Sequence, residues 1–177
     1  MKYAVLLRGV NVAGNRKVAM ADLRRVLESL GHGEVSTYLQ SGNAVVSTEK
    51  SNAGRLERRI EKALASELSV DTRVLVRTHP ELTALIDGNP FPAALAEPKF
   101  LHVVFLGDNP TPAAVATMDP TAYAPDEIEF GDRAAYVRYA GGQGRSKLTP
   151  AAWNRLGVVW TARNWNTVEA LARLTAA

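Results

Sequence analysis

The sequence predicts an α+β fold with a ferredoxin-like first half and an antiparallel or mixed sheet. Three observations predict it. Short β-branched runs alternate with segments whose apolar residues recur every three or four positions. Over residues 1–78 these segments follow the order β-α-β-β-α-β, the split βαβ arrangement. A Ser41-Gly42-Asn43 turn joins two adjacent strands as a hairpin.

Tyr3 to Arg8 is a short apolar run that reads as a buried strand. Gly14-Asn15 is a turn signal. Met20, Leu23, Val26, Leu27 and Leu30 fall at helical spacing, and Gly31 supplies the stop. Val35, Thr37 and Leu39 alternate with Ser36 and Tyr38 as a strand, and Ala44 to Thr48 is the second arm of the hairpin. Ser51 or Asn52 caps a helix whose inner face is Leu56, Ile60, Ala63 and Leu64, and Thr72 to Arg77 returns as a strand.

The second half is expected to be a smaller α+β lobe. It has a short helix from His79 to Ile86, an apolar strand from Phe100 to Leu106 and a helix from Pro112 to Met118. A hairpin follows around Gly131-Asp132, then helices near Thr149–Arg155 and Asn166–Thr175. Trp160 to Thr167 reads as the opening of the last helix, with Asn166 and Glu169 as a capping box. The expectation is one compact domain over 1–177, with lobes at 1–78 and 79–177.

Of the 177 residues, 46% are hydrophobic and 22% charged, ordinary for a globular chain and wrong for a disordered one. No apolar run is long enough for a bilayer. The absence of Cys removes disulfides, thiolate nucleophiles and Cys-based zinc sites, and a cytoplasmic location is expected. The net charge of +3 is mildly basic, with Arg spread along helices beside Glu rather than massed as nucleic-acid binders require.

No catalytic arrangement is complete. His32, His79 and His102 lack metal-ligand spacing, no Ser sits in a nucleophile elbow, and Asp126 points away from Glu127 and Glu129 on a strand. No metal and no cofactor are expected. Four polar clusters remain: Arg8 to Lys17, Thr37 to Asn43, Gly144 to Lys147 and Trp160 to Thr167. Their Arg, Lys and Asn residues suit an anion, which Gly-containing loops and helix starts also favour. Each also has a plain structural role as turn, hairpin, surface loop or helix cap.

The segments Leu6-Leu7-Arg8-Gly9-Val10-Asn11-Val12, Met20-Ala21-Asp22-Leu23-Arg24, Thr37-Tyr38-Leu39-Gln40-Ser41-Gly42-Asn43-Ala44-Val45-Val46 and Thr161-Ala162-Arg163-Asn164-Trp165-Asn166-Thr167-Val168 carry a resemblance. In this order they resemble a bacterial family catalogued as domain of unknown function 1697. The resemblance implies a bacterial α+β domain with a ferredoxin-like portion. It assigns no activity and no catalytic residue.

The leading functional expectation is binding of an anionic small molecule, as a ligand-binding protein or an enzyme. Arg8, Asn11, Gln40, Ser41 and Asn43 are expected to converge, with Lys147 and Arg163 as outer contacts. Two alternatives stand beside it: a nucleic-acid-binding module using strand aromatics, and a structural or partner-binding homodimer without catalysis.

Overall fold

Six residues from Lys2 to Leu7, five of them buried, form β1. Their burial follows from their place: β1 pairs antiparallel with β3 (Asn43–Ser47) on one side and β4 (Val74–Thr78) on the other. With β2 (Gly33–Tyr38) at the edge, the sheet order is β2-β3-β1-β4. This is the order of the split βαβ arrangement. The computed structural model describes residues 1–14 and 16–176. It contains two compact units, Met1–Thr83 with Ala170–Ala177, and Ala84–Glu169.

In the first unit, α1 (Met20–Ser29) and α2 (Ala53–Leu68) cover one face of the sheet. Leu23, Val26 and Leu27 of α1 and Leu56, Ile60 and Leu64 of α2 recur at helical spacing and are buried against Val5, Leu7, Val46 and Val76. Asn52 caps α2 by accepting from the Arg55 N–H at 3.1 Å. The opposite face, with Ala4, Leu6, Asn43 and Leu75, is buried as well. A further helix, α3 (His79–Asp87), continues directly from β4.

The second unit repeats the plan. It contains β5 (Leu101–Leu106), α4 (Pro112–Ala116), β6 (Glu127–Gly131), β7 (Ala134–Arg138), α5 (Pro150–Asn154), β8 (Trp160–Asn164) and the start of α6 (Trp165–Thr175). Its antiparallel sheet runs β6-β7-β5-β8, the first unit's order with each strand replaced by its counterpart. The match extends to single bonds. Leu7 N–H donates to Gly42 O at 2.8 Å and Arg8 N–H to Arg73 O at 2.9 Å. Leu106 N–H donates to Arg133 O at 2.9 Å and Gly107 N–H to Val159 O at 2.7 Å.

The region of Trp160 to Thr167 differs from expectation. Trp160–Asn164 is a strand paired with β5, and the helix starts at Trp165. Thr161 and Arg163 are buried on one side of the strand while Trp160 and Ala162 pack on the core from the other, a period of two that places this segment in the sheet. The cap is Asn164, whose Oδ1 accepts from Thr167 N–H at 2.9 Å, while Glu169 accepts from the Trp165 indole at 3.1 Å. The turn expected at Gly14-Asn15 falls partly outside the described residues; Gly14 itself has φ +77°. Among the described residues, no helix is long and apolar enough to cross a membrane.

Candidate anion-binding site

A central strand is held on both sides, so its last residue is a rigid point from which a loop can be launched. The chain leaves β1 at Arg8 and enters a loop with left-handed backbone at Gly9, Asn11, Ala13, Gly14 and Arg16. Ala13 and Arg16 have no intrinsic reason to adopt it, so the loop is held in this shape by its bonds. Asn11 supplies most of them. Its Nδ2 donates to Val18 O at 2.8 Å and to Gln40 O, and its Oδ1 accepts from Val18 N–H at 2.8 Å. One side chain thus closes the loop on itself and clasps it to the β2–β3 hairpin.

The hairpin is fixed as firmly. Asn43 is fully buried, and its Nδ2 donates to Tyr38 O at 3.1 Å and to Ser41 Oγ at 2.9 Å. Thr72 Oγ1 donates to Arg8 O at 2.6 Å, tying the end of β1 to the approach of β4. Replacing Asn11 by alanine is expected to cost about 2 kcal/mol in urea unfolding, because Val18 N–H loses its acceptor and alanine is forced to φ +55°. An unchanged midpoint would show that the clasp contributes nothing.

Five of the seven residues singled out from the sequence lie on the two segments joined at this end, Arg8 and Asn11 on the β1 side and Gln40, Ser41 and Asn43 on the hairpin. Their roles differ. The Asn11 and Asn43 carboxamides and the Ser41 hydroxyl hold the framework, and Gln40 contributes its backbone carbonyl. Arg8 is half-buried and stands among cations. Arg16 Nη1 lies over Gly9, 3.5 Å from where a Cβ would sit, and Arg73 is bonded to Arg8 through the backbone. Burial first, then Arg16 and Arg73, lower the Arg8 pKa from its ordinary value. Arg73 Nε also donates to Glu61 at 3.0 Å. Beside this group, Lys17 and Asn11 line an open cavity of about 370 Å³.

Arg73 was not singled out from the sequence, since its membership depends on strand order. Only with β4 antiparallel beside β1 does the residue preceding β4 meet the residue following β1. Lys147 and Arg163 belong to the second unit. Lys147 is exposed on a loop whose Ser146 Oγ donates to Asp126 at 2.6 Å. Arg163 is buried within β8, donating to Thr161 Oγ1 and Ala162 O, each at 2.8 Å. Burial pushes its pKa down to about 10.

The second unit acts as an internal control. Asn109 repeats the clasp, donating to Asp132 Oδ1 at 2.9 Å and accepting from Arg133 N–H at 2.7 Å. Register places Gly107, Ala134 and Val159 where the first unit has Arg8, Asn43 and Arg73. The fold therefore builds this strand end without a cationic cluster, and the arginines of the first unit are an addition to it. Among the described residues no group of His, Asp and Glu is arranged to hold a metal ion.

Among solved structures the chain is similar to SP0830, a conserved bacterial protein from Streptococcus pneumoniae, with a TM-score of 0.75 and 21% identity over 99% of this chain and 98% of that one. At that identity the likeness speaks for the fold alone. No curated protein matches the sequence. The model of the family described as "Protein of unknown function (DUF1697)" matches residues 1–136, and the chain belongs to that family.

Proposed function

We propose that the protein binds an anionic small molecule at the end of β1, with Arg8, Arg16 and Arg73 as its charged contacts. The observation that carries this reading is the nearness of the Arg16 and Arg73 charges to Arg8, at a strand end where the second unit has Gly107 and Val159 in place of Arg8 and Arg73. An anion would relieve the repulsion among Arg8, Arg16 and Arg73, to which Glu61 already supplies one carboxylate at Arg73, and guanidinium pairs with carboxylate or phosphate through two parallel bonds. The bonded loop around Asn11 fixes the backbone in advance, so little ordering remains to oppose binding.

The test is thermal unfolding in the presence of phosphorylated metabolites, carboxylates, nucleotides and short oligonucleotides. A ligand at about one hundred times its dissociation constant adds roughly 2.7 kcal/mol of stability. The expected result is stabilisation by a small anion that is lost in Arg8→Ala and in Arg16→Ala. Stabilisation that survives both substitutions, or none with any anion, overturns the reading. Stabilisation by oligonucleotides alone, falling steeply with salt, would replace it with a nucleic-acid function.

A further inference from the structure

Two bare apolar residues stand on the loops beside the arginines at the end of β1. Val12 and Leu39 are 58% and 56% exposed, the highest values for large apolar side chains among the described residues. Apolar residues scattered singly over a surface need no explanation. These two are brought together. Asn11 N–H donates to Arg16 O at 3.2 Å, closing the short loop that contains Val12. Asn11 Nδ2 in turn donates to Gln40 O, the carbonyl next to Leu39. The clasp therefore holds both apolar residues on neighbouring loops, with Arg16 and Lys17 exposed on the first of them.

The second unit shows that the fold does not require either residue. Its hairpin pairs Gly131 with Ala134 and turns over Asp132 and Arg133 alone, whereas the first unit's pairs Tyr38 with Asn43 and carries Leu39-Gln40-Ser41-Gly42 between them. After β5 the chain reaches α4 by Pro112, five residues past Leu106; after β1 it reaches α1 only at Met20. Both extensions in the first unit carry one of the exposed apolar residues. The polarity of the two ends is opposite as well. The second unit exposes Asp108 and Asp132 where the first has its arginines and its apolar pair. Leu39 also has φ +57°, a backbone that leucine disfavours and that the shorter hairpin avoids at its first turn residue.

We propose that the ligand at the end of β1 is a small amphiphilic anion, an alkyl or acyl phosphate or carboxylate. Its charged group pairs with Arg8, Arg16 and Arg73, and its apolar body covers Val12 and Leu39. The inference rests on the anion-binding reading above and adds the class of ligand. An inorganic anion would leave both apolar side chains in water; an apolar body removes them from it. The cavity beside Asn11 and Lys17, about 370 Å³, is within the range of small-molecule sites, roughly 300–1,000 Å³. Neither loop contains an aromatic residue, so nucleobases have nothing to stack on.

The experiment is calorimetric titration of the full chain with methyl phosphate and with hexyl phosphate, two monoesters of equal charge that differ in apolar length. The expected result is binding of both, with the hexyl ester tighter by at least about tenfold. The double substitution Val12→Ser and Leu39→Asn is expected to bring hexyl phosphate down to the affinity of methyl phosphate. Both side chains are exposed, and asparagine tolerates the left-handed backbone at position 39, so the variant keeps the fold. Equal affinities for the two esters in the parent would overturn this inference and leave the anion-binding reading standing. Binding of neither ester would overturn both. A hexyl preference that survives the double substitution would place the apolar contact elsewhere and overturn the inference. Retention on phosphatidylglycerol vesicles without binding of soluble hexyl phosphate would replace the small ligand with a lipid surface.

Discussion

Replacing Gly42 by alanine is expected to lower the unfolding free energy by about 3 kcal/mol, several times the effect of an ordinary surface change. Two costs add. Gly42 has φ +79°, a conformation that a side chain disfavours by about 1 kcal/mol or more. A Cβ there would also lie 2.4 Å from Val10 Cγ2 and 2.9 Å from Leu7 Cβ, so the hairpin would have to lift from the end of β1. Gly31 isolates the second cost. It has φ +82° with nothing within 4 Å of its Cβ position, so Gly31→Ala incurs only the conformational part. Urea unfolding of both variants reads the difference. Equal losses would mean that the close approach of Leu7 and Val10 is not what requires glycine at 42.

Lowering the pH from 7 to 5 is expected to remove about 2 kcal/mol of stability through His102, and about 3 kcal/mol by pH 4. His102 lies in β5, with its ring edge-on to buried Tyr139 at a centroid separation of 5.0 Å. Its cross-strand partners, Val137 and Asn164, carry no charge that would stabilise an imidazolium. Burial pushes its pKa from 6.5 down to about 4. The unfolded chain therefore takes up the proton first as pH falls. The contribution is complete above pH 6.5, declines between 6.5 and about 4, and does not change further below that. His32, also lowered by burial, acts in the same direction. Denaturant unfolding of the parent and of His102→Phe at pH 7 and pH 5 is the measurement, since most carboxylates stay ionised in that interval. If the two proteins lose stability in parallel, His102 is not the group responsible.

The architecture of the first unit was legible because its apolar period changes cleanly between two and 3.6 residues, and because Gly31, Ser41-Gly42-Asn43 and Asn52 mark the boundaries. That the hairpin lies beside the end of the first strand was legible too, since an antiparallel neighbour of β1 brings its turn to that end. The division of labour among Arg8, Asn11, Gln40, Ser41 and Asn43 was not. An asparagine that frames a loop and one that awaits a ligand look the same in sequence, and only the bonds to Val18 and Gln40 tell them apart. Arg163 illustrates the harder failure. The last strand runs into α6 with no linker, so the signals of a helix start overlie the alternation of Thr161 and Arg163.

The first unit is discontinuous in sequence, and this bears on how the protein is made. Residues 1–83 emerge from the ribosome early, yet the unit they belong to also includes the segment from Ala170 onward. That segment bonds back to the beginning: His79 Nδ1 lies 2.9 Å from Ala172 O, and Lys2 Nζ donates to Ala176 O at 3.5 Å. The second unit, encoded between the two pieces, is completed while its predecessor still waits for its final stretch. Vectorial synthesis thus reverses the order of completion: the arginine-bearing half is started first and finished last.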